Sequence, residues 1–88
     1  MIKVAEEKQI GKITHFFSGI SVGIIELTDG LKVGEKIHIK GASTDFEQTI
    51  SSMQIERKDI EVAKSGDAIG IKVDQKVREG DTVYKVLE

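Results

Sequence analysis

The feature that most constrains this fold is a series of short runs in which every second residue is hydrophobic. In segment 35–40, Ile37 and Ile39 point to one side of an extended chain, while the polar residues between them point to the other. Segment 68–73 shows the same alternation. Such runs recur between glycine-containing turns, and no stretch has the period of about 3.6 residues that an amphipathic helix requires. The sequence therefore predicts an all-β fold.

Strand positions follow from these runs. We predict six strands, at residues 9–17, 20–27, 35–40, 46–57, 68–73 and 82–87. Alternation of this kind places one face of each strand against the core and the other against water. The predicted core includes Ile13, Ile37, Ile39, Ile55, Ile69, Ile71 and Val73.

Two of the predicted strands change phase along their length. In the second strand, Ile20 and Val22 have one parity, while Ile25 and Leu27 have the other. In the fifth strand the change falls at two consecutive serines. A β-bulge inserts one residue and would let both halves keep their apolar side chains inward. Because bulges sharpen the bending of a strand, we expect the six strands to close into a barrel.

A glycine followed by an acidic residue recurs just before three of the strands. The pairs stand at positions 34–35, 66–67 and 80–81. Glycine allows a positive φ at no steric cost, and the carboxylate that follows can accept a hydrogen bond from a nearby backbone N–H. These pairs predict three similar turns, with no catalytic use of their carboxylates.

Chain length and composition favour a small binding module. The 88 residues include no proline and no low-complexity stretch, so we predict one domain over residues 1–88. A core one layer thick supports only a few kcal/mol of net stability. This leaves little margin for the strained and desolvated groups that catalysis uses. We therefore predict that the protein is not an enzyme.

Charge and cysteine content restrict the binding partners that the protein can have and the cell compartment in which it can fold. The 15 acidic residues slightly outnumber the 13 basic ones, giving a formal net charge of −2. Dedicated nucleic-acid binders usually carry a basic excess. The sequence has no cysteine and no apolar run long enough for a signal peptide or a membrane span. We predict a cytoplasmic protein without a membrane partner.

The residues that most often carry chemistry are sparse. His15 and His38 are the two histidines, and neither has a second histidine or a carboxylate at the spacing of a metal site. We predict no metal, no cofactor and no catalytic residue, with His38 solvated on its strand and His15 at a barrel rim. The sequence also lacks the Gly-x-x-x-x-Gly-Lys-Ser/Thr loop that cradles phosphates, so we predict no GTP binding.

Three longer stretches carry a resemblance to a known family. The stretches LKVGEKIHIKG, QTISSMQIERK and AKSGDAIGIKVDQKVREGDTVYKV resemble, in order and spacing, the second domain of elongation factor Tu. Through IGKITHFFSGISVGIIEL and TDFEQTISSMQI the chain looks like the stand-alone members of that superfamily. A similar barrel is appended to the C-terminus of some collagenase-like peptidases. The resemblance implies a closed six-stranded Greek-key barrel of the translation-protein domain 2 type, without a GTPase domain.

The same resemblance implies a ligand-binding face. In the factors that bind aminoacyl-tRNA, a glutamate that packs on the terminal adenosine stands where this chain has Gln54. Arg57 and Lys58 match a family arginine near the RNA 3′ end and its neighbour. Lys72 falls where the factors place an apolar pocket residue. The alternative that Arg57 and Lys58 only solvate a strand end stays open.

Two adjacent aromatic residues extend this predicted surface. Phe16 and Phe17 cannot both face the core from one strand, so we expect one to pack inside and the other to lie at the rim. A rim aromatic can stack on a base or fill a pocket of a partner. It can also simply cover the end of the barrel.

Three functions are consistent with this pattern. The leading hypothesis is a non-catalytic module that docks on a protein or on structured RNA of the translation machinery, such as tRNA or the ribosome. The alternative is a detached accessory domain that positions a peptidase or an RNA-modifying enzyme on its substrate. A third is a structural homo-oligomer formed through an exposed sheet edge. The sequence leaves the oligomeric state open.

Overall fold

Antiparallel β-strands account for all the regular structure of the described chain. The computed structural model describes residues 6–87. Within them the strands are β1 Glu6–Phe17, β2 Val22–Leu27, β3 Leu31–Lys32, β4 Lys36–Lys40, β5 Asp45–Thr49, β6 Met53–Ile55, β7 Lys58–Ile60, β8 Val62–Ala63, β9 Ala68–Lys72 and β10 Thr82–Leu87. Every strand pair among them is antiparallel. The predicted all-β class is therefore confirmed.

The strands are arranged as one large sheet and one small one. The large sheet has eight strands in the order β5-β4-β10-β1-β2-β9-β6-β7, and β3 pairs with β8 separately. Over the residues that the structure describes, its two outer strands, β5 and β7, do not pair with each other. The predicted closed six-stranded Greek-key barrel is thus wrong in closure and in strand count.

The strand predicted at residues 46–57 explains much of this difference. It is two strands, β5 and β6, of which β5 is one outer strand of the large sheet and β6 lies next to the other, β7. Ile50 is buried, and the exposed Ser51 and Ser52 carry the chain from β5 to β6. The change of phase that suggested a bulge is a crossover, because a new strand begins with its own parity at Met53.

A side-chain amide joins the edge strand β5 to the chain beyond β9. The Gln48 side chain is 8% exposed. Its Nε2 donates to the backbone carbonyl of Lys72 at 2.9 Å, and its Oε1 accepts from the backbone N–H of Asp74 at 2.9 Å. The side-chain amide thus forms hydrogen bonds with a backbone carbonyl and a backbone N–H, as the backbone of a neighbouring strand would. It therefore links two parts of the sheet that no strand ladder connects.

The two bulges of the large sheet that we identify both lie in β1. The pairing with β10 shifts between Gln9 and Gly11, and the pairing with β2 shifts between Ile13 and His15. Glycine is required at the first shift, because a Cβ on Gly11 would lie 2.5 Å from the carbonyl oxygen of Glu26. β1 supplies the local bending that we had assigned to the second and fifth predicted strands.

By contrast, β2 runs in regular register against β9. The bulge predicted in the second strand is therefore wrong. Ile25 is buried, whereas Val22 and Ile24 lie on the opposite, outward face and are half-buried. Ile20, in the preceding turn, is 64% exposed. The change of phase in segment 20–27 therefore arises because some of its apolar side chains face outward.

The buried residues form one apolar cluster on the inner face of the sheet. It contains aliphatic side chains from β1, β2, β4, β9 and β10 that are almost fully inaccessible. Of the seven predicted core residues, six are buried, namely Ile13, Ile37, Ile39, Ile69, Ile71 and Val73. Ile55 is only half-buried, because it ends a strand of three residues next to a turn.

The three predicted glycine-acid turns share one geometry. Their glycines have φ of +96° at Gly34, +94° at Gly66 and +92° at Gly80. Each acid accepts a hydrogen bond from the backbone N–H three residues earlier, from Lys32 to Glu35 at 2.7 Å, from Lys64 to Asp67 at 2.9 Å and from Arg78 to Asp81 at 2.8 Å. The predicted local bonds are therefore confirmed.

Each of these turns is also fastened to a neighbouring strand by two backbone bonds. The glycine N–H donates to the carbonyl of a buried aliphatic residue, and the N–H of that residue donates back to the carbonyl of the acid. The aliphatic partners are Ile50 for the first turn, Leu27 for the second and Ile13 for the third. The turns therefore tie the strand ends to the core.

Candidate binding groove

The strand register sets the outward-facing residues of β1, β2, β9 and β6 in rows across the sheet. Residues paired between neighbouring antiparallel strands point to the same face. One row runs through His15, Ile24, Gly70 and Gln54, and the next runs through Phe17, Val22 and Lys72. The rows bring together side chains from four strands on the face opposite the core.

A concavity of about 400 Å³ lies over these rows, and we name it the outer groove. Phe17, Ile20, Val22 and Ile24 form its apolar wall. Gly70 lies on its floor, where the missing side chain leaves space between the walls. A shallower depression of about 440 Å³ lies on the other side of Phe17 and Ile20.

Two side chains of the apolar wall are largely exposed. Phe17 is 45% exposed and Ile20 is 64% exposed. Leaving large apolar side chains in water forgoes roughly 1.5–3 kcal/mol of burial free energy for each one. Single exposed residues of this kind are ordinary, but a contiguous apolar concavity marks a binding surface.

Polar side chains form the opposite rim of the outer groove. Gln54, Glu56 and Arg57 all line it. Gln54 is exposed on β6, and its Nε2 donates to Asp59 Oδ1 at 2.9 Å. The two other rim residues form the turn that joins β6 to β7, since Ile55 pairs with Lys58.

The backbone of this rim is strained. Glu56 has φ +51° and Arg57 has φ +66°, as in a type I′ hairpin turn, which favours Asn-Gly. A residue other than glycine in the left-handed region costs on the order of 1–3 kcal/mol. Ser21, with φ +54°, lies between the wall residues Ile20 and Val22. Over residues 6–87, these are the positive-φ residues other than glycine, and two of them, Glu56 and Arg57, line the outer groove.

The structure brings together three of the polar residues predicted for the binding face. Gln54 and Arg57 line the outer groove, and Lys72 lies in the adjoining row, opposite Val22. Lys58 is exposed on β7 and does not line the groove. Whether these side chains bind a ligand stays a prediction.

The two aromatic residues diverge as a strand requires. Phe16 is half-buried and packs against the core, whereas Phe17 faces outward. The ring of Phe17 lies 4.4 Å from that of His15, whose Nδ1 is 3.6 Å from Glu79 Oε2. Sequence analysis missed the aliphatic wall of the groove. The signal was present in the parity of Ile20 and Val22, but we had assigned that parity to a bulge.

A second polar constellation surrounds His38 on the outer face of β4. Its side chain is only 13% exposed, so the description of His38 as solvated is wrong. The Nδ1 of His38 lies 2.6 Å from Glu7 Oε2 and 4.0 Å from Glu47 Oε2. Its Nε2 faces Asp45 Oδ1. These carboxylates come from β1 and β5, which sequence spacing does not reveal.

The carboxylates around His38 favour the charged form of its imidazole. Burial lowers its pKa, but hydrogen bonds to Asp45 and Glu7 outweigh that effect, so the pKa of His38 is raised above 6.5. If Glu7 and Asp45 are both ionised, the two hydrogen bonds place a proton on each ring nitrogen. The hydrogen bond between His38 and Asp45 holds the pKa of Asp45 below its usual value.

The His38 cluster also has the spacing of a metal site. One ligand atom each from Glu7, His38 and Glu47 lie within 4.8 Å of one another. Glu7 and Asp45, however, each lie within hydrogen-bonding distance of one ring nitrogen, so a protonated His38 can balance part of their charge without an ion. We therefore assign the cluster to charge pairing between β1, β4 and β5.

Residues 6–87 contain no helix that is both long enough and apolar enough to cross a membrane. The cytoplasmic location stays a prediction.

This chain is similar in sequence to short parts of known proteases. It is 44% identical over 81 residues to an uncharacterized protease of Methanocaldococcus jannaschii, covering 91% of this chain and 20% of that protein. It is 31% identical over 85 residues to a collagenase of Porphyromonas gingivalis, covering 94% of this chain and 24% of the collagenase. The chain thus spans about a quarter or less of the relatives that it matches. No family model matches it.

Solved structures give the same fold. The C-terminal domain of a Geobacillus thermoleovorans protein assigned to the U32 peptidases has a TM-score of 0.83 at 14% identity, covering 89% of this chain and 91% of that domain. Its selenomethionine form has a TM-score of 0.82 at 13% identity, covering 86% and 96%. At these identities the likeness establishes the fold alone.

These matches correct the predicted relationship to translation factors. The identification as a stand-alone protein of the elongation factor Tu domain 2 superfamily is wrong, because the relatives and structural neighbours are proteases and a peptidase domain. Short alternating strands and glycine-acid turns are requirements of the fold, so they do not discriminate between proteins that share it. Docking on the translation machinery has no support from these relatives and is withdrawn.

Proposed function

We propose that this chain is a non-catalytic accessory domain that positions a peptidase on its polypeptide substrate, with the outer groove as the surface that binds the polypeptide. The observation that carries this proposal is the apolar groove on the outward face of a domain that otherwise occurs as a small part of proteases. The larger remainder of each relative has no counterpart in these 88 residues. Catalysis is therefore assigned to that remainder.

The chemistry of the outer groove favours a polypeptide over RNA. Its wall is aliphatic and aromatic, and its rim carries one basic and one acidic side chain together with an amide. Binding of a nucleic-acid backbone would call for several cations in a continuous stripe. The net charge of −2 is also unfavourable for RNA. Apolar pockets with a few polar groups are typical of sites that accept side chains.

A domain replacement in the Porphyromonas gingivalis collagenase tests the proposal. The region that matches this chain is exchanged for the chain itself, and cleavage of gelatin and of a short peptide is measured. A positioning role predicts that deletion of the region raises KM for gelatin about tenfold and leaves cleavage of the short peptide unchanged, because the remote binding energy is lost. The exchanged domain should restore the low KM.

Matched variants locate the effect. Gly70→Leu fills the outer groove, and Cβ at this position makes only ordinary contacts, 3.5 Å from Ile24 and Val22. It should abolish the restoration. Val62→Ser removes a different exposed apolar side chain, 57% exposed on β8, and should have no effect. Equal gelatin kinetics with and without the domain would refute the proposed function, as would cleavage by the isolated chain.

A further inference from the structure

We infer that the outer groove selects an extended segment in which an aliphatic side chain and a carboxylate stand two residues apart, on the same side of the segment, and that Arg57 binds this carboxylate. The inference rests on the proposed function and gives the chemical class of the segment. The aliphatic side chain would enter between Phe17 and Ile24, over the floor at Gly70. The carboxylate would then lie at the rim that the β6–β7 turn provides.

The first observation behind this inference is where the strain lies. Each of the three glycine-acid turns places glycine at its positive φ, so this chain uses glycine where a turn serves only the fold. The β6–β7 turn instead holds Glu56 and Arg57 in the left-handed region. Strain that a simple substitution would relieve is typical of functional positions. A glycine at position 57 would relieve the backbone strain there, but it would remove the side chain from the rim.

The second observation is the charge at this rim. No ion pair among residues 6–87 uses Arg57 or Lys72. Arg57 lines the outer groove and Lys72 lies in the adjoining row, so two cations without ion-pair partners face the apolar wall. The Asp59 carboxylate accepts a hydrogen bond from Gln54. A guanidinium beside an apolar concavity is suited to a carboxylate, which it can bind through two hydrogen bonds.

Glu56 shares the rim and works against an anionic ligand. Its charge should weaken the binding of an anionic ligand, whereas that of Arg57 should strengthen it. The two neighbours are therefore a matched pair for experiment. Removing the charge of Arg57 should weaken binding of an acidic peptide. Removing the charge of Glu56 should strengthen it. A site that recognised only apolar surface would respond to neither change.

Two capped peptides, Gly-Leu-Gly-Asp-Gly and Gly-Leu-Gly-Asn-Gly, serve as probes in a titration of the isotope-labelled chain followed by amide chemical shifts. We expect both to shift the amides of Ile24 and Gly70. The aspartate peptide should bind about fivefold more tightly than the asparagine peptide, as for an exposed ion pair. Arg57→Gln should abolish this preference, and Glu56→Gln should increase it. Lys58→Gln, one residue away and outside the groove, should leave it unchanged.

The outcomes separate this inference from the proposed function. Equal affinity for the two peptides, or a preference that survives Arg57→Gln, would overturn the role of Arg57 while leaving a polypeptide-binding groove intact. Shifts confined to residues outside the groove would overturn the inference as well. The gelatin kinetics of the domain replacement do not depend on either result, so they test the proposed function independently.

Discussion

At the scale of single residues, the positive φ of the glycine-acid turns is the most sharply defined requirement of this sequence. Gly66 has φ +94°, and open space surrounds the position where its Cβ would lie. A side chain there would meet no clash, so its cost comes from the backbone alone. Gly66→Ala should lower the free energy of unfolding by about 1–2 kcal/mol.

Chemical denaturation measures this change, with Gly19→Ala as the control. Gly19 also has open space around it, but its φ is not in the left-handed region. Its substitution should leave the free energy of unfolding within about 0.5 kcal/mol of the parent. Equal losses at both positions would show that the φ of Gly66 is not the cause.

The pairing of His38 predicts a dependence of stability on pH. The folded pKa lies above 6.5, so the folded state binds a proton more tightly than the unfolded state. The stabilisation is fully present below pH 6.5 and is lost as the pH rises through the folded pKa. The groups that face the ring are Glu7 from β1, Asp45 and Glu47 from β5, and Tyr84, opposite it on β10.

Denaturation of the parent and of His38→Gln at a series of pH values measures this effect. The difference in free energy of unfolding between the two proteins should shrink as the pH rises above 6.5. Addition of EDTA should not change the curves, since charge pairing needs no ion. A difference that stays constant from acid to alkaline pH would contradict the assignment of the cluster.

At the scale of elements, the alternation of apolar residues was sufficient to predict the longer strands but not which of their apolar side chains face outward. Segments 35–40 and 68–73 became β4 and β9 within one residue at each end. The four shortest strands, β3, β6, β7 and β8, have two or three residues each, too few to show a period. The outer groove was missed for a related reason. Parity alone cannot separate a bulge from apolar side chains that face outward.

The β6–β7 turn carries the prediction at this scale. Glu56→Asn with Arg57→Gly installs the residues that a type I′ turn favours. The double variant should raise the free energy of unfolding by about 1–2 kcal/mol, because two left-handed residues are relieved of strain. Chemical denaturation of the double variant beside the parent measures it. A destabilised variant would mean that the two side chains contribute more to folding than their backbone strain costs.

At the scale of the whole molecule, the way the sheet is held together could not have been predicted from the sequence. Strand parity specified six of seven core residues, but it contains no information about which strands meet. The gap between β5 and the chain beyond β9 is bridged by one amide side chain, and Gln48 was not distinguished from other polar residues on its strand. The closed barrel predicted from the resemblance was wrong at the same place, because β5 is an outer strand of the sheet.

The Gln48 link gives the last prediction. Gln48→Leu keeps the size of a buried side chain but removes the bonds to the Lys72 carbonyl and the Asp74 N–H, which then lose their partner. Leaving such groups unpaired should cost about 1–3 kcal/mol. Because the lost link connects the edge of the sheet, amide exchange should accelerate first in β5 and in the segment after β9. Thr49→Leu on the exposed face of β5 is the control and should leave exchange near the parent rate. Uniform acceleration across all strands would show that Gln48 stabilises the fold as a whole and that the link is not local.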